Sequence, residues 1–193
     1  MSATLGVTAW AVALMVCWQP LGRTPWPELR GETEAETVAR YTELAQAAER
    51  VAAENPPLFD EQLGGRQVGR LRTLTLLLSI SWHESAFHNR VTTNAGGDRQ
   101  RSDRGRSWCA GQVLLGRAGA PLPWHYRRLV PELWTGAELE ADPHRCMTVV
   151  YRFLRQSMQR CAPAPLATYT GEPCRSAPKA RRRLARALAV PLP

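Results

Sequence analysis

The stretch RLRTLTLLLSISWHESAF, residues 70–87, reads as the helix on which the fold is built. Leu71, Leu74, Leu78 and Trp82 recur at steps of three and four and form one stripe, which Leu77, Ile80 and Ser81 widen. A helix apolar over so broad an arc belongs in the interior. The pattern predicts a central, largely buried helix from about Arg66 or Val68 to about Phe87, with Glu84 near its end.

Helical patterns dominate on both sides of this stretch. TEAETVARYTELAQAAERVAAEN (33–55) is amphipathic: Thr33 and Glu36 have capping-box spacing, and Val38, Tyr41, Ala45, Ala48 and Val51 share a face. Pro56 and Pro57 end it. HRCMTVVYRFLRQSMQRC (144–161) is predicted to turn Val149, Phe153 and Met158 inward, with Val150, Leu154 and Ser157 beside them. APKARRRLARAL (177–188) closes the chain as a basic helix with Pro178 in its first turn. No β alternation and no internal repeat is visible, so the expected class is all-α.

The chain has 193 residues and a net charge of +8, unevenly spread. Residues 1–62 carry four arginines against nine acids, whereas 63–193 carry twenty arginines and one lysine against eight acids. A basic lobe of this strength attracts polyanions. The basic C-terminal helix suits an anionic wall polymer or a membrane, or is simply a surface helix. No helix-turn-helix or aromatic stacking motif accompanies it, so nucleic acid is not an expected partner.

Residues 1–22 contain no charged side chain, and LGVTAWAVALMVCW (5–18) is nearly all apolar. This core is shorter than the roughly 20 residues of a full membrane span. It reads as a signal peptide or signal anchor, with a buried helix of the soluble domain as the alternative. The Pro- and Gly-containing PLGRTPWPELRG (20–31) follows, which sets a linker at 23–32 and the folded domain at 33–193. The expected location is exported, facing the cell wall, either periplasmic or membrane-anchored.

Cysteines fall at 17, 109, 146, 161 and 174 without a CxxC pair or a common zinc spacing. Two disulfides in an oxidising compartment are expected, with four buried thiols as the alternative. Proximity favours Cys109–Cys146 and Cys161–Cys174 among the three pairings that four cysteines allow. The odd Cys17 is placed to exchange with a domain cysteine if the segment leaves a bilayer.

Metal chemistry is not supported. His83 and His88 are five residues apart, about 140° around a helix, whereas H-E-x-x-H zinc sites need a spacing of four. No cofactor is expected either. Glu84 has another use: a carboxyl beside apolar groups is harder to ionise and so can serve as a general acid. Trp82 and Phe87 flank it closely in sequence. The polar loop TTNAGGDRQRSDRGRSW (92–108) follows and is expected to form the other wall of a sugar-binding cleft.

HESAFHNRV (83–91) resembles the E-S-x-F motif of the soluble lytic transglycosylases and goose-type lysozymes. DRGRSWCAGQ (103–112) is similar to their stretch ending S-x-G-L-M-Q, with Ser107 and Gln112 in register. ATYTGEPC (167–174) is similar to their A-x-Y-N-x-G element. The resemblance spans roughly residues 66–176 and departs at Cys109, Ala110, Gly111 and Thr170, as in a divergent, cysteine-containing and phage-endolysin-like branch.

The resemblance implies a lysozyme-like domain acting on peptidoglycan glycan strands, with Glu84 as acid/base. Ser85, Ser107, Gln112 and Tyr169 would contact substrate, and Tyr169 would orient Glu84 by a hydrogen bond. A lytic transglycosylase needs no second carboxylate, whereas a hydrolytic muramidase would use one such as Asp98 or Asp103. The rival from another class is a non-catalytic wall- or polyanion-binding protein that keeps the same shell.

Overall fold

The centre of the molecule is a helix, Gly65–Ser85, with Leu76, Leu77 and Leu78 all fully buried. Three consecutive buried positions point in three directions around a helix, so it needs partners on every side. In the computed structural model, which describes residues 6–21, 32–59, 65–88, 106–116, 119–121, 124–162 and 164–193, it has them. The helices are α1 (Val7–Trp18), α2 (Glu34–Glu54), the central α3, α4 (Trp124–Leu129), α5 (Gly136–Ala141), α6 (Pro143–Arg160) and α7 (Pro178–Leu188). α2 and α7 pack along α3, and α1 and α6 complete its surroundings. The all-α class holds, with one addition: a small antiparallel hairpin pairs β1 (Ser107–Trp108) with β2 (Val113–Leu114). Strands of two residues are too short to show alternation in sequence. Most of the predicted linker at 23–32 lies outside the described residues.

Local chemistry explains where the helices begin. Thr33 and Glu36 form the expected capping box on α2, and Thr135 with Glu138 forms another on α5. The Asp142 carboxylate accepts from the backbone N–H groups of His144 and Arg145, and Pro143 supplies the first turn of α6. Within α3, the hydroxyls of Thr73 and Thr75 donate to the carbonyls of Gly69 and Leu71, so these buried polar groups are satisfied inside the helix.

Two predicted faces need correction. Val38 is exposed, because Thr37 and Tyr41 take the inward positions of the first turns of α2. On α6, Val149, Val150, Leu154 and Ser157 are buried as expected, but Phe153 and Met158 are only half-buried. Phe153 turns into a cleft instead.

α1 packs on α2 and α3 as a further layer of the bundle. Ala11 and Met15 are fully buried, the Trp18 ring lies 5.9 Å from that of Trp82, and the Thr8 hydroxyl donates to Glu49 at 2.5 Å. Among the described residues no helix is long and apolar enough to cross a membrane. The two disulfides favoured by proximity are present: Cys109–Cys146, with Cα atoms 6.2 Å apart, and Cys161–Cys174, at 5.5 Å. The first ties the hairpin to α6, and the second ties the end of α6 to the turn before α7. Cys17 is exposed and free.

α3 stops abruptly, with Ala86 and Phe87 both left-handed at φ 47° and 53°. Such residues cost on the order of 1–3 kcal/mol each and need the surroundings to hold them. Here Phe87 is buried against Tyr41, and its carbonyl accepts from Arg40 Nη1 at 2.6 Å. Arg40 also donates to both carboxylate oxygens of Glu32, at 2.8 and 2.5 Å, with both side chains about nine-tenths buried. Arg40→Met would strand the Glu32 charge and the Phe87 carbonyl. We expect it to cost about 3–5 kcal/mol in denaturant melts, with partial recovery in the Arg40→Met/Glu32→Gln double variant. A loss below about 1 kcal/mol, the worth of a surface pair, would show that this network does not hold the end of α3.

Candidate active site

Glu84 occupies the last turn of α3, where the central helix reaches the surface. The left-handed pair that follows turns the chain away at once, so the carboxylate is not covered by a continuing helix. Ser85 serves this ending. Its buried hydroxyl donates to the Ser81 carbonyl at 2.7 Å and accepts from the Phe87 N–H at 3.2 Å.

A cleft of about 440 Å³ opens beside Glu84. Its walls come from α3, the hairpin, α4, α6 and the turn at 168–171. Glu84, Gln112 and Tyr169, far apart in sequence, all line it. Ser85 and Ser107 do not, and Ser107 is buried within β1. Asp98 and Asp103, with most of the loop at 92–108, lie outside the described residues. Gln112 has φ 48° at the end of the hairpin turn, and its amide nitrogen donates to the Cys109 carbonyl at 3.1 Å. Cys109, Cys146, Cys161 and Cys174 are all in disulfides.

The chain matches no protein-family model, no curated protein and no solved structure.

Glu84 is ion-paired with Arg183 of α7. The two side chains keep 25% and 21% of their exposure, so the pair is shielded but reachable. Its neighbour Arg186 lies over the Trp82 ring, 5.1 Å from the centroid. α7 itself is firmly seated. Ala180 and Ala187 are buried beneath it, Glu172 accepts from the N–H groups of Lys179 and Ala180, and Arg72 donates to the carbonyls of Leu188 and Val190. The hydrogen bond expected from Tyr169 to Glu84 goes elsewhere: the hydroxyl donates to the Gly111 carbonyl at 3.1 Å. Burial, and then the charge of Glu84, push the ionisation of Tyr169 upward, which keeps the phenol neutral.

Sequence reasoning missed Arg183 because ninety-nine positions separate it from Glu84 and a basic amphipathic helix reads as surface. It also missed Trp124 and His125, which line the cleft from α4. A signal existed for these only in retrospect: an aromatic pair follows Pro123 in an otherwise irregular stretch.

His83 is held neutral next to this cluster. Burial, then the nearby Arg183 and Arg186 charges, lower its pKa from 6.5 to about 4. The unfolded chain therefore takes up this proton at higher pH than the folded one. His83's contribution to stability is whole above about 6.5 and is lost as pH falls towards about 4. In melts between pH 7 and 4, His83→Gln should flatten this part of the acid destabilisation. Parallel curves for the two proteins would mean that His83 is not excluded from protonation.

Proposed function

We propose that the protein is a peptidoglycan-cleaving enzyme that breaks the β-1,4 bond between N-acetylmuramic acid and N-acetylglucosamine, most simply as a lytic transglycosylase. One observation carries this reading: Glu84, Gln112 and Tyr169, from the three separate motif stretches, converge on one cleft. The resemblance of those stretches to the lytic transglycosylases and goose-type lysozymes supplies the substrate class and a lysozyme-like fold.

Glu84 protonates the glycosidic oxygen as the bond breaks, and positive charge develops on the sugar ring. The same carboxylate, now a base, takes the proton from the 6-hydroxyl of that sugar, whose oxygen closes a 1,6-anhydro ring. One carboxylate suffices for this route, and Glu84 is the one acid among the described residues that line the cleft. Because Arg183 holds the Glu84 carboxylate in an ion pair, reaching the glycosidic oxygen requires that pair to open.

The location proposed is exported and facing the wall, whether periplasmic, membrane-anchored or carried by a virion, in keeping with the two disulfides. α7 turns Arg183 towards Glu84 but leaves Lys179, Arg181, Arg182 and Arg186 exposed, a basic face suited to anionic wall polymers.

Mass spectrometry of products from purified peptidoglycan tests the reading. We expect wild-type products ending in anhydro-muramic acid, one water lighter than a reducing end, and at least about a thousandfold less from Glu84→Gln, as for loss of a group that both donates and accepts the proton. Reducing ends would replace the transglycosylase by a hydrolase and direct attention to Asp98 and Asp103. No products from wild type, with glycan still bound, would leave only the binding role.

A further inference from the structure

The most exposed large apolar side chain among the described residues is Trp124, at 68%. It stands on the cleft that Glu84 lines, as the first residue of α4. Two more rings lie alongside on the same wall. His125 meets Trp124 edge-on with centroids 6.2 Å apart, and it meets Phe153 edge-on at 5.8 Å. Phe153 is the α6 side chain that leaves its expected inward position. Deeper apolar lining comes from Val113 and Val150, and Gln112, Gln156 and Thr168 add amide and hydroxyl groups.

This combination selects a ligand chemistry. A pyranose ring has a flat face of C–H bonds and an equatorial rim of hydroxyls and, in the amino sugars, an acetamido group. Its site must therefore offer an aromatic face for the first and amide or hydroxyl partners at the edge for the second. A purely apolar ligand would make no use of the Gln156 amide and the Thr168 hydroxyl that line the cleft, and a small anion would not need the indole. Trp124, standing at the cleft with the His125 and Phe153 rings beside it, offers a ligand an open aromatic face next to polar groups.

We infer that Trp124 is the stacking platform of a saccharide subsite, taking the apolar face of an N-acetylhexosamine ring while Gln112, Gln156 and Thr168 meet its polar rim. For its ligand class the inference rests on the glycan reading above, but it does not depend on catalysis. The exposure of Trp124 makes it a safe position to alter, because little of the fold rests on its side chain.

The test is isothermal titration of the full-length Glu84→Gln protein, which leaves the sugar intact, with a soluble β-1,4-linked N-acetylglucosamine hexasaccharide. Adding Trp124→Ala should weaken binding about tenfold or more, and Trp124→Phe should stay within about threefold of the parent, since an aromatic face is retained. Melting temperatures of the three proteins should agree. Binding unchanged within about twofold in Trp124→Ala, or no binding by the parent, overturns the inference. Product analysis separates this from the enzymatic reading. Trp124-dependent binding without cleavage by wild type keeps the platform and removes the enzyme, whereas cleavage with Trp124 dispensable removes the platform alone.

Discussion

The burial of α3 on all sides is the constraint that the rest of the molecule satisfies. Leu76, Leu77, Leu78 and Ile80 cannot all be covered by one neighbour, so α1, α2, α6 and α7 surround the helix. At its last turn α3 comes to the surface, and there the chain carries Glu84. A carboxylate placed so is fixed by the backbone of the most buried helix, and rigid support of that kind is what a catalytic group needs. The left-handed residues Ala86 and Phe87 strain the exit, and the Arg40–Glu32 network with the Phe87–Tyr41 contact holds it.

The strong positive charge of the C-terminal part has an internal as well as an external role. Arg72 caps the end of α7, Arg186 covers Trp82, and Arg183 reaches Glu84. These arginines serve the fold and the cleft, and only part of the basic character remains for a partner. The docking of α7 on α3 thus brings the basic helix and the candidate acid, which look unrelated in sequence, into a single site. Burial first, and then the same two arginines, keep His83 neutral.

What could be read from sequence was what depends on short spacings. The extent of α3, the capping box at Thr33, the start of α7 at Pro178 and the placement of Glu84 at a helix end all follow from residues a few positions apart. The disulfide pairing was also legible, because the domain cysteines are joined in order along the chain, first to second and third to fourth. Phe153 was misread as core because periodicity locates an apolar face but does not tell a packed interior from a cleft wall. The Arg183 pair and the Trp124 wall were out of reach for a different reason: each is created by the packing of elements far apart in sequence, and no local pattern encodes it.

The hairpin turn at 109–112 is held from several sides. Cys109 is tied to Cys146 on α6, and Val150 lies one turn further along that helix. Gly111 packs so closely on it that a β-carbon there would stand 2.1 Å from a Val150 methyl. The Gly111 carbonyl in turn accepts the Tyr169 hydroxyl, so the two loops that bear the later motifs are joined through backbone. Between these fixed points Gln112 is left in the left-handed region and lines the cleft. A disulfide, a close backbone contact and one tyrosine hydrogen bond hold Gln112 and Tyr169 on the same cleft as Glu84.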